Sequence, residues 1–186
     1  TETGVVGGAV DRSWVQYSLE QYDGYDPGIV IPESIANNKA SATVDLPFNN
    51  TATNSPIVYA PQLLGFAVGR LFNLRSGTTY RLAEICMIAV YALLMYCAVM
   101  TLPKWRIPVG LLLCVPQMLR LASFSISADS LTQAVMILFS CLLFRGIIGK
   151  RSQRGAVALA VTSVLLAMCK FVYMPLVLLV IPLMFD

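Results

Sequence analysis

Histidine is absent from the 186 residues. Its absence excludes, within this chain, His-based catalytic triads and imidazole metal sites. Charge is scarce as well: Asp, Glu, Lys and Arg amount to 12% of residues against 57% hydrophobic, far from a soluble balance. There are five cysteines, Cys86, Cys97, Cys114, Cys141 and Cys169, and no Cys-x-x-Cys pair. All lie in or beside apolar segments and read as small packing residues. With none in the polar N-terminal region they provide no disulfide framework, and no metal site is expected from them. No signal peptide is visible at Thr1. A polar start and a stop inside an apolar run at Phe185-Asp186 read as an excerpt of a longer protein.

The charge that remains divides by position. Residues 1–60 carry seven acids against Arg12 and Lys39, a net of −5, and the rest carries a net of +8. The basic residues flank apolar runs instead of clustering on a polar surface, so nucleic acid is not an expected partner. From Leu82 onward the chain is almost continuously apolar, and its bases fall at alternate breaks. Lys104 and Arg106 mark one break; Arg145, Lys150, Arg151 and Arg154 mark another; Ser123–Ser130, between them, has no Lys or Arg. Loops on the cytoplasmic side retain Lys and Arg, so the alternation gives an orientation.

These patterns predict an all-α polytopic membrane protein with a large, partly irregular outer loop. Residues 1–60, rich in turn formers such as Asp23-Gly24 and Asp26-Pro27-Gly28, form the extracytoplasmic loop region. Residues 61–75 read as an interfacial amphipathic helix. Residues 81–186 hold the spans, at about 81–102, 108–124, 129–148, 156–170 and 172–186, the last cut short. A span of about twenty residues covers ~30 Å of hydrocarbon. Residues 1–80, Ser123–Ser130 and Lys170–Pro175 then share the outer side of a bacterial plasma membrane, with the lipid bilayer as a partner.

Ionisable residues near the spans are the candidates for function. Arg81 and Glu84 stand one turn apart at the outer end of the first span, either neutralising each other or serving a site. Arg120 and Lys170 could snorkel to headgroups. Asp129, after Ser127 and before an apolar helix, suits helix capping. Yet Arg81, Arg120 and Lys170 are placed at one level, beside a loop able to cover them, and three cations suit a phosphate or pyrophosphate. Tyr173 is near enough in sequence to add a hydrogen bond. Asp23 and Asp26 form the densest acidic group of the loop, a pair of the kind that binds a divalent cation or acts as a base, or simply two turn residues.

Three passages, in order, carry a resemblance. They are Ser55-Pro-Ile-Val-Tyr-Ala-Pro-Gln-Leu-Leu-Gly65 leading to Tyr80-Arg81-Leu82, then Ser125-Ile-Ser-Ala-Asp-Ser-Leu131, then Ala167-Met-Cys-Lys-Phe-Val-Tyr-Met-Pro-Leu176. Together they resemble a bacterial polytopic membrane-protein family, the domain of unknown function numbered twenty-one forty-two, over about residues 55–180. That family is grouped with the GT-C glycosyltransferases, which take sugars from polyprenyl-phosphate donors at the outer face. The resemblance therefore implies a GT-C-like helical bundle and a lipid-linked sugar phosphate as partner. It also implies a catalytic acid just after the family's first span, upstream of residue 1. The family's Asp-Glu motif with its nearby His has no counterpart here.

The leading expectation is thus a glycosyltransferase-like membrane protein in cell-envelope polysaccharide or glycolipid assembly. The phosphate-binding candidates are Lys170, Arg120, Arg81 and Tyr173, with Glu84 and Asp129 structural or part of the site. The alternative is a non-enzymatic transporter or assembly component for an anionic envelope precursor. A transporter should show inverted repeats with broken helices, and none is visible in this sequence.

Overall fold

The computed structural model describes residues 7–11, 15, 43–47, 54–115, 127–149 and 152–180. By its contacts the chain divides into two compact units, one of residues 1–53 with 62–83, the other of 54–61 with 84–186.

In the first unit, strands β1 (Gly7–Asp11) and β2 (Thr43–Pro47) pair antiparallel, with Ala9 opposite Asp45. Helix α1 (Ala60–Leu71) carries Pro61 in its first turn, where a missing N–H forfeits no intrahelical bond. It ends because Asn73 turns left-handed, at φ 50°. The Asn73 N–H then donates to the Arg70 carbonyl at 3.2 Å and the Leu74 N–H to the Gly69 carbonyl at 2.9 Å, the paired closure of a Schellman cap. Chain reversal follows at once, and α2 (Ser76–Thr101) begins. Gly65 and Gly69, four residues apart, set α1 directly on the start of α2. A Cβ at Gly65 would lie 2.4 Å from the Ala83 Cα, and one at Gly69 2.1 Å from the Thr79 Cγ2. Opposite them Ser76, Thr79 and Ala83 are small and buried. Small residues on both faces let the backbones approach where lipid provides no hydrophobic drive between helices.

In the second unit, α2 ends ahead of Pro103 and is sealed by Arg106, whose Nε donates to the Leu102 carbonyl at 2.7 Å. Trp105, left-handed at φ 67°, precedes α3 (Arg106–Leu113). Helix α4 (Ala128–Ile148) follows Ser127 and closes at Gly149. Helix α5 (Gln153–Cys169) is capped by the Ser152 hydroxyl, which accepts from the Gly155 N–H at 3.1 Å. Beyond it come helical turns at Phe171–Tyr173, Met174–Val177 and Leu178–Val180.

One buried seam joins these helices. Met87, Tyr91 and Met95 of α2 and Leu131, Val135, Phe139 and Leu142 of α4 recur every three or four residues, and Leu159 and Leu166 of α5 are two turns apart, one stripe per helix. The hydroxyls of Thr132, Thr162 and Ser163 lie in it and donate to carbonyls four residues back, which meets their hydrogen-bonding need inside their own helix. Among the described residues, α2 and α4 are long and apolar enough to cross a membrane. Only 28% and 39% of their apolar windows are buried, whereas the core helix of a soluble protein is mostly buried. Leu93, Leu111 and Val161 point outward with many others, a surface suited to hydrocarbon. The expected second span, 108–124, is described only to Val115.

Candidate functional site

The second unit brings one residue from each of two helix ends into contact. Ser127 is extended, and its hydroxyl accepts from the Asp129 N–H at 3.1 Å, so Ser127, not Asp129, caps α4. Its role leaves the Asp129 carboxylate free to point elsewhere. At the other end α5 stops at Cys169, and Lys170 is extended with its N–H still donating to the Leu166 carbonyl. That break sends the Lys170 side chain to Asp129: Nζ donates to Oδ1 at 2.5 Å. Lys170 therefore has a carboxylate partner forty-one residues away.

The pair is accessible, with the Lys170 side chain 34% and the Asp129 side chain 72% exposed. Hydrogen bonding to Asp129 raises the Lys170 pKa above its ordinary value. Partial burial works against it, and the Asp129 charge and the Tyr173 and Tyr59 phenols add to the rise. Tyr173 is held close by its own N–H, which donates to the Lys170 carbonyl at 3.0 Å.

Tyr59 arrives from the turn Pro56–Tyr59, a single 3₁₀ turn capped by Ser55, whose hydroxyl accepts from the Ile57 N–H. That turn packs against both α4 and α5, with Val58 wholly buried in the seam. The Asn54 amide donates to the Tyr59 hydroxyl at 3.4 Å. Just beneath, Cys169 meets the Thr132 hydroxyl. The three sequence passages 55–65, 125–131 and 167–176 therefore meet at one end of this unit through Tyr59, Asp129 and Lys170. The profile of a family described as a predicted membrane protein, DUF2142, matches residues 30–184. The chain belongs to this family. No curated protein and no solved structure matches it.

Of the other candidates in this DUF2142 protein, Arg81 and Glu84 are among the described residues. Arg81 is exposed on α2 within the first unit, and Glu84, half-buried one turn later, falls in the second. Asp23, Asp26 and Arg120 lie outside the described residues. Among the described residues no three Cys, Asp or Glu side chains are grouped to hold a metal ion. Tyr59 was not singled out by sequence reasoning as a site residue. Its signal was membership of the first passage, since nothing in local pattern separates a tyrosine that ends a turn beside a charge from an ordinary core aromatic.

Proposed function

We propose that the chain is part of a GT-C-type, glycosyltransferase-like membrane protein, spanning a bacterial plasma membrane several times with residues 1–80 outside. It would meet the phosphate of a polyprenyl-phosphate sugar at the end where Tyr59, Asp129, Lys170 and Tyr173 gather. The observation that carries this proposal is the convergence of the three passages on an accessible ammonium. Lys170 would exchange the Asp129 carboxylate for a phosphate oxygen, with the Tyr173 hydroxyl donating beside it; Arg120 is a further candidate for the same headgroup. The acid that would activate an acceptor is expected from the implied upstream segment, with Asp23 and Asp26 as weaker candidates within this chain.

Binding of a polyprenyl phosphate to the full-length protein in lipid nanodiscs tests this. Charge-assisted contacts of this kind contribute about 1.5–3 kcal/mol, so Lys170→Met should weaken binding about tenfold or more, with membrane insertion unchanged. Lys170→Arg should keep part of the affinity. Asp129→Asn should tighten binding, because the competing anion is gone. Unchanged affinity in Lys170→Met would remove the phosphate site.

The closeness of the Lys170–Asp129 pair also fits a second role, that of a non-enzymatic transporter or assembly component in which the pair only ties α5 to α4. In that case both variants lower stability and neither alters lipid-phosphate binding.

A further inference from the structure

At the opposite end of α4 from Asp129, the second unit has an open groove of 520 Å³, within the ~300–1,000 Å³ typical of ligand sites. Leu102 and Trp105 form one wall, Pro108 and Leu112 of α3 the next, and Cys141 and Phe144 of α4 the third. Ser140 is the only residue with a polar side chain apart from these. Such a lining has few polar groups for a sugar or a peptide backbone, and it suits a hydrocarbon chain.

The chain next to these lining residues is basic. Lys104 and Arg106 flank Trp105, both exposed, and Arg145 follows Phe144. Trp105 holds a left-handed backbone that a bulky side chain seldom adopts, and its indole is 67% exposed. Two contacts hold that turn: the Val109 N–H donates to the Trp105 carbonyl at 3.1 Å, and Arg106 seals the end of α2. An indole lining an apolar slot, with bases next to the lining residues in the chain, matches the headgroup level of a membrane. A second copy docking groove to groove would set these same bases against one another, which disfavours it as the occupant.

We propose that this groove holds an acyl chain of an anionic phospholipid whose phosphate sits among Lys104, Arg106 and Arg145. Apolar contacts fill the slot, and the bases choose an anionic headgroup over a zwitterionic one.

Trp105 reports on its own neighbour. The full-length protein, with every other tryptophan changed to phenylalanine, would be reconstituted in vesicles containing increasing brominated phosphatidylglycerol or brominated phosphatidylcholine. Half-maximal quenching of Trp105 is expected at an at least roughly fivefold lower mole fraction of phosphatidylglycerol. Lys104→Gln with Arg145→Gln, both outside the buried seam, should abolish that preference, and Ser140→Phe, which fills the slot, should reduce quenching by both lipids. Equal quenching by the two lipids would mean an ordinary annulus and overturn the site. Absence of quenching by either would mean that protein, a second copy or another helix, covers the groove, and overturns it too. A preference that survives the glutamine variants would place the phosphate elsewhere, with the same consequence.

Discussion

At Lys170 a raised pKa means that the ammonium tied to Asp129 loses its charge only at alkaline pH. A cation whose folded-state pKa exceeds its unfolded value stabilises fully below the unfolded value, about 10.4, and the contribution disappears as pH rises through the folded value. Solvent screens a pair as exposed as this one, so it contributes no more than about 1 kcal/mol. Thermal unfolding in detergent should therefore show Lys170→Met slightly less stable than the parent between pH 7 and 10, with the gap closing above that. A gap that widens at high pH would contradict the raised pKa. The sequence sets Lys170 at the end of one span and Asp129 at the start of another, but does not pair them. Their contact depends on where α5 breaks, and that break is set by packing as much as by local preference.

At the level of elements, the α1–α2 hairpin rests on two glycines that differ in what they touch. The atoms nearest Gly65 are backbone atoms of Leu82 and Ala83, while those nearest Gly69 belong to the Thr79 side chain. Gly65→Ala must push the helices apart, a cost of about 1–3 kcal/mol by analogy with overpacked cores. Gly69→Ala should cost less, and Thr79→Ala should recover part of that loss but nothing of the Gly65 loss. Chemical denaturation of the four variants in micelles measures this; equal and unrecoverable losses would refute the distinction. The Gly65-x-x-x-Gly69 spacing was present in the sequence as a packing signal, beside the stronger impression of an interfacial amphipathic stretch. The exposed Leu63, Leu64, Leu71 and Phe72 keep that impression alive for the other face of α1. The cap of α4 reads from the sequence as Asp129 and is Ser127, while Ser152, Gly149 and Asn73 likewise act within one turn of themselves.

For the whole molecule, the alternation of basic and neutral breaks predicts a topology that substituted cysteines can read. In a background without the five native cysteines, an impermeant reagent added to intact cells should label positions 127 and 38 and spare position 152. Labelling of 152 with protection of 127 would invert the orientation and move the Lys170–Asp129 end to the cytoplasm. The family and its membrane character could be foreseen from the chain alone, because apolar runs and their flanking bases record the solvent each segment meets. Composition and period likewise determined which stretches are helices. Only the tertiary structure decided that Tyr59, Asp129 and Lys170, spread over more than a hundred residues, meet at one end of a unit. The same holds for the slot that Trp105 and Phe144 line together. Both arise from contacts between helices, which depend on rotation and depth along each axis, and an apolar run carries almost no information on either.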